Sequence, residues 1–328
     1  MFFNNPLKLL DKKMMAYHCS VFGVPALLPG LSLTCVTESY MLIIPRLECA
    51  PSTGVNRAAS NLKGLAFALL TTIGWTSCSY ALTQDEVMQR GYITVATEDD
   101  YRPFEFIENG KSTGYDNELK ELVEKETGLQ LRQEILPWAG ILPGVTSGKF
   151  DMALSAVMVT EERKRTFDYT TPTATSATYF GTRTGSDIKK PEDLIGKNVG
   201  AETGSAFLAE LKVFDEHLKA EHGEGVGKIV EYHGYPEAYQ DLGLGRIDAV
   251  VNTDLTLRAL VAERGDMFVL GQPISDLGYK AWAVKKGNAE LLAIVNAAML
   301  KIRESGEMYR LQEKWFGERF ENMPLDVN

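Results

Sequence analysis

Two stretches of the chain are built alike. "TSGKFDMALSAV" closes on an apolar run that begins at Asp151, and "GLGRIDAVVNT" closes on one that begins at Asp248. Each places Gly–x–x–Asp between a helical segment and the run, with Gly148 and Asp151 in the first and Gly245 and Asp248 in the second. Glycine supplies the left-handed conformation that ends a helix. A short apolar run just after it reads as a buried strand. The aspartates cap or turn into those strands and are not read as catalytic. A chain that twice runs from helix straight into a buried strand is restricted to α/β folds with a largely parallel sheet.

The surrounding pattern extends both units. Residues 91–97 read as a strand. Residues 115–128 read as an amphipathic helix with Leu119, Leu122 and Val123 on one face and Gly128 as its stop. A strand over 129–136, a short helix over 141–150 and a strand over 151–157 follow. The order then restarts: strand, Gly-containing turn and helix over 196–214, strand over 228–234, helix over 236–246 and strand over 247–253. Residues 288–317 read as one or two amphipathic helices with a break near Gly306. Two such units and a helical end predict two lobes, with a ligand site between them at the carboxyl ends of the strands.

Charge and cysteine usage narrow the function. The 328-residue chain carries a net charge of −10, which argues against a nucleic-acid binder. Its cysteines are Cys19, Cys35, Cys49 and Cys78, so zinc–thiolate sites, iron–sulfur clusters and a cysteine nucleophile are excluded beyond residue 78. No cofactor motif is found. His217 and His222 are five residues apart in a polar helix end, which is not read as a metal site.

Arg57 and Lys63 precede an apolar run from Gly64 to about Trp75, and the small residues after it end Ser79-Tyr80-Ala81. This is the layout of a secretory signal over 55–81, cleaved after Ala81. A lipid-modified Cys78 and a buried helix are the alternatives. Residues 1–54 are expected to be an upstream extension produced by a start site placed too early, or an atypical leader. From Leu82 onward, 28 Lys and Arg stand against 41 Asp and Glu, a net of −13. Such a balance favours solubility and disfavours anionic lipid or nucleic acid as a partner.

The motifs "ITVATEDDYRPFEF", "GYDNELKELV", "ILPGVTSGKFDMALSAVMVTEERKRTFDYTTP", "DLIGKNVGAETGS", "YQDLGLGRIDAVVNTDL" and "SGEMYRLQEKWFG" follow one another across about 88–320. In that order they resemble the family 3 extracellular solute-binding proteins, the periplasmic polar amino-acid-binding components of ABC transporters. The resemblance implies the two-lobed, type II periplasmic-binding-protein fold, with each lobe a mixed sheet flanked by helices and two hinge crossings. It places lobe one at 82–180 plus 276–328 and lobe two at 181–275. It further implies a monomer that meets the permease subunits of an importer, needs no cofactor and does no chemistry.

The same resemblance assigns residues. Arg163, in "T-E-E-R", matches the arginine that holds a ligand's α-carboxylate, and a guanidinium offers two carboxylate oxygens a planar fork of donors. Backbone N–H groups near Met158 and Ser205 would complete that anion site, with Gly204 letting the backbone come close. Tyr101 and Trp138 match aromatic positions and would form a slot for a flat or cationic group. Glu98 and Glu202 would suit a cation beyond it. Three positions depart from the pattern. Met158 stands where members carry a hydroxyl, and Thr253 stands where they carry an ammonium-binding Asp, with Asp254 one residue later. Ser155 would then supply a hydroxyl and Ala156 a carbonyl.

Each assignment has a plainer reading: an ion pair from Arg163 to Glu161 or Glu162, core packing for the rings, surface charge for the carboxylates. A cationic amino acid or derivative is the expected ligand. A polyamine is the alternative, and a dehydratase-type enzyme using Glu98 and Glu202 as acid and base is the third reading.

Overall fold

The paired aspartates explain how each unit is assembled. A computed structural model of the chain describes residues 83–328; the expected signal segment 55–81, Cys78 and the expected extension 1–54 lie outside the described residues. The Asp151 carboxylate accepts from the Thr94 amide at 2.6 Å, the Thr94 hydroxyl at 2.7 Å and Arg90 Nη2 at 2.6 Å. The Asp248 carboxylate accepts from the Asn198 amide at 2.8 Å. Both therefore fasten the start of one parallel strand to its neighbour, and both are structural. Gly148 and Gly245, at φ of 79° and 75°, supply the turns that precede them.

Helix α1 (Gln84–Arg90) opens on a capping box between Thr83 and Glu86, and leads into β1 (Tyr92–Thr97). A small antiparallel sheet follows, made of β2 (Asp100–Tyr101), β3 (Glu105–Glu108) and β4 (Lys111–Thr113). Next come α2 (Tyr115–Thr127), stopped by Gly128, then β5 (Gln130–Ile135), α3 (Trp138–Thr146) and β6 (Met152–Met158). The two short strands β7 (Phe167–Tyr169) and β8 (Ala174–Ser176) complete the first pass.

The second unit contains β9 (Thr178–Arg183), β10 (Asn198–Glu202), α4 (Ala206–His222), β11 (Lys228–Tyr232), α5 (Tyr235–Leu244), β12 (Ala249–Thr253), α6 (Asp254–Arg264) and β13 (Phe268–Pro273). The chain then returns to the first sheet as β14 (Gly278–Lys285) and ends in α7 (Ala289–Glu304) and α8 (Glu307–Phe316), separated at Gly306.

The first sheet runs β5-β1-β6-β14-β7, with β8 also on β14, and the second runs β11-β10-β12-β9-β13. Within each, the helix-linked strands are parallel, as the repeated unit predicts. The sheets are nonetheless mixed: β14 is antiparallel to β6, and β9 is antiparallel to β12. Both inserted strands lie beside a crossing between the sheets, so they enter in the reverse direction. The fold is thus the expected two-sheet α/β architecture.

The crossings touch. The Ile274 amide donates to the Thr178 carbonyl at 2.8 Å, and the Thr178 amide donates to the Ser275 hydroxyl at 3.0 Å. The short helix expected over 141–150 instead spans Trp138–Thr146, so Trp138 sits in its first turn, directly after Pro137.

Strand β14 is pinned from below. Trp282, fully buried, donates from Nε1 to the Asp116 carboxylate of α2 at 3.0 Å. Burial raises that carboxyl to about 6. Trp282→Phe removes the donor and leaves a buried acceptor unpaired. We expect a loss of about 1–3 kcal/mol in chemical denaturation, and a smaller loss for Asp116→Asn, which keeps an acceptor.

Candidate functional site

The carboxyl ends of β1, β6 and β10 and the N-terminus of α4 face one narrow cavity. Glu98 and Tyr101 reach it from the turn after β1 and from β2, Trp138 from the first turn of α3, and Ala156 and Met158 from β6. Arg163 comes from the segment after β6, Glu202 from the end of β10, and Ser205 from the N-cap of α4. Eight of the residues singled out in the sequence therefore line one space.

Arg163 is half-buried and bridges the two sides of the cleft. Nη1 donates to the Met158 carbonyl at 3.1 Å, and Nη2 donates to the Gly204 carbonyl at 3.2 Å. Gly204 holds φ at 76°, a conformation that favours glycine. One of the two acids of the neighbouring charge cluster pairs elsewhere: Glu161 lies 2.9 Å from Lys164. Two of the five guanidinium N–H groups are engaged by these carbonyls, which leaves three for a solute. The carbonyl of Met158, not its N–H, faces Arg163. The Ser205 amide is likewise taken, donating to the Glu202 carbonyl at 3.2 Å.

The aromatic pair differs from the expected slot. Trp138 lies beneath the Arg163 guanidinium, with Cζ 5.2 Å from the ring centroid. Tyr101 packs on Phe104 at 5.0 Å between centroids, and its hydroxyl accepts from Lys280 Nζ at 3.1 Å. Each ring thus supports a cation of the protein.

Ser155, fully buried, does not line the cavity. Its hydroxyl donates to Glu98 Oε1 at 3.1 Å and so orients that carboxyl. Thr253 and Asp254 are also placed away from it. The Thr253 hydroxyl donates to Ser176 Oγ at 2.7 Å, at the crossing, and Asp254 pairs with Arg258 at 3.1 Å. Asp254 is the first residue of α6, so it has left the strand that would have aimed it at the cleft.

Three residues that the sequence reading passed over, Ala206, Phe207 and Lys280, complete the lining. Lys280 projects from β14, and Phe207 stands two residues into α4. The signal for Lys280 was present: "GYKAWAV" sets a lysine among apolar residues, where a solvated lysine would be out of place.

Burial dominates the electrostatics. It pushes Glu98 up to about 8, reinforced by the carboxylate of Asp100. It pushes Glu202 up to about 9, reinforced by Glu98 and Asp100. The same desolvation lowers Lys280 to about 7 and draws Arg163 down as well. The site can therefore hold an anionic group at its cations and donate or accept protons at its acids.

The family model for bacterial extracellular solute-binding proteins, family 3, matches residues 93–318. The chain belongs to that family. It is 30% identical over 256 residues to the L-cystine-binding protein TcyJ of Escherichia coli, covering 77% of this chain and 93% of the relative. It is 30% identical over 234 residues to the L-arginine-binding protein of Pseudomonas aeruginosa, covering 68% and 87%. Among solved structures, a mutant of ArgBP from T. maritima superposes with a TM-score of 0.63 at 31% identity, covering 72% of this chain and all of that one. An ancestral arginine-binding protein bound to arginine gives 0.62 at 33% identity, covering 70% and 99%. The two-sheet fold is thus that of the two-lobed amino-acid-binding proteins, and solute binding is the family's role.

The buried acids give a signed pH dependence. A carboxyl whose folded pKa is raised stabilises the fold below its unfolded pKa, and that stabilisation is lost as pH rises through the folded value. For Glu202 the window runs from about 4.5 to about 9. Glu202→Gln removes this contribution, so the melting temperature of the ligand-free variant should gain on wild type as pH rises across that window. Lys280, lowered from 10.5 to about 7, acts in the opposite direction over its own window and is common to both proteins.

Proposed function

We propose that this protein is the periplasmic substrate-binding component of an ABC importer and captures an amino acid in the cleft between its two lobes. The observation that carries this reading is Arg163, which lines the cavity from one lobe, bonds a carbonyl on the other, and keeps donors to spare for a ligand's carboxylate. The α-carboxylate sits on that guanidinium. The remainder of the solute lies against Tyr101 and Trp138 and meets Glu98 and Glu202, whose carboxyls suit a cationic group such as that of a basic amino acid. The proposed lobes are 82–180 with 276–328, and 181–275. Secretion through the signal at 55–81, cleavage after Ala81, a monomeric state and permease subunits as partners belong to the same reading.

An enzymatic reading has one observation in its favour. Glu98 and Glu202 hold their protons near neutral pH, as a general acid does. One structural neighbour, at 30% identity, is an ancestral amino acid-binding protein described as a precursor of cyclohexadienyl dehydratase. We favour binding without turnover, because the family is one of solute-binding proteins.

Isothermal titration of the protein against amino acids tests the proposal. Binding of at least one amino acid, recovered unchanged by mass spectrometry, is expected. Arg163→Ala should weaken it by about 2–5 kcal/mol, since it strips a desolvated charge pair. An unchanged affinity in that variant would refute the assigned role. Trp138→Ala should lower affinity while leaving the melting transition cooperative.

A further inference from the structure

Lys280 is the charged group at the cavity to which the reading above gives no task. It lies opposite Met158 in the antiparallel register of β6 and β14, and its side chain is fully buried. Nζ bonds the Tyr101 hydroxyl at 3.1 Å and stands 4.5 Å from the Phe207 ring centroid. Among the described residues it forms no ion pair, and an ammonium has three N–H donors. The cavity beside it is lined by Ala156, Met158 and Phe207 and, further round, by the carboxyls of Glu98 and Glu202, and among the described residues neither carboxyl is hydrogen-bonded to Nζ. A buried ammonium is costly unless an anion compensates it.

A second cation and a helix end share this region. Arg163 bonds the carbonyls of Met158, the residue facing Lys280, and of Gly204, which directly precedes the N-cap of α4. Lys280 approaches the same helix at Phe207. The first turn of that 17-residue helix, at Ser205 and Ala206, opens on the cavity, and helix N-termini favour negative charge. The side chains that could have received a solute's ammonium here, Thr253 and Asp254, are committed to Ser176 and Arg258.

We propose that Lys280 is a second cationic contact for the carboxylate of the bound solute, shared with Arg163 at the first turn of α4, and that it excludes amines lacking that carboxylate. The proposal rests on the amino-acid reading given above. A carboxylate drawn up to Nζ supplies the missing acceptor and restores the charge that burial suppresses. A polyamine would bring further positive charge against Lys280 and Arg163 with no water between to screen it.

Matched probes separate the outcomes: L-arginine against agmatine, and L-cystine against cystamine, each amine lacking only the carboxylate. By calorimetric titration, wild type should bind the acid of at least one pair ~100-fold more tightly than the amine. Lys280→Met should weaken the acid roughly 30-fold or more and leave the amine unchanged or tighter. Because Lys280 is buried, wild type crystallised with the acid gives a measurement that needs no variant. Nζ should lie about 2.7–3.2 Å from a carboxylate oxygen. Equal affinity of wild type for acid and amine, an unaltered acid affinity in Lys280→Met, or an Nζ that contacts Tyr101 and no ligand oxygen overturns the role of Lys280 while amino-acid capture stands. A wild-type protein that binds no amino acid in the titration described above overturns the amino-acid reading and this proposal with it, and where it binds a different amino acid, that acid and its decarboxylated amine form the matched pair.

Discussion

The chain passes between its two sheets twice within a few residues of the same point, and most of the site follows from that constraint. The crossings before β9 and before β14 hydrogen-bond to each other through Thr178, Ile274 and Ser275. Each sheet receives its one long reversed strand there. The parallel strands of both sheets consequently end toward a common cleft. Glu98, Met158 and Glu202, from three different strand ends, meet there although 104 residues separate the first from the last. Lys280 arrives by the return crossing and is held in place by the bond from Trp282 to Asp116 on the strand it shares.

What the cavity offers a solute is set by desolvation more than by charge count. Two carboxyls and two cations line it, yet burial drives the acids toward neutrality and lowers the amine. Water cannot repair an unmatched ion in such a place. A guest with the right charges in the right places therefore has far more effect than one that merely fits, and the selectivity proposed for Lys280 is one expression of this.

Much of the fold was legible because it depends on local rules. Gly148 and Gly245 stop helices, Asp151 and Asp248 tie strand starts, and the apolar runs after them fit only buried strands. The reversed strands β9 and β14 were not legible, because strand direction is set by the crossings and not by pattern. The hairpin of β2 to β4 escaped because its strands are only two to four residues long. For the candidate site, Arg163, Glu98, Tyr101, Trp138 and Glu202 were singled out through motif position, and the cavity gathers them. Thr253 and Asp254 were misplaced because a helix begins at Asp254, which no spacing argument revealed. Lys280 was missed because a lone lysine in a strand is read as surface until the facing strand is known.

The bridge made by Arg163 has a kinetic side. Its guanidinium donates to Met158 across one wall of the cleft and to Gly204 across the other, so parting the walls must break at least one of these bonds. The side chain proposed to receive the solute is thus also a latch between the two walls. On the binding reading proposed above, a solute reaches the cavity only after that latch has opened.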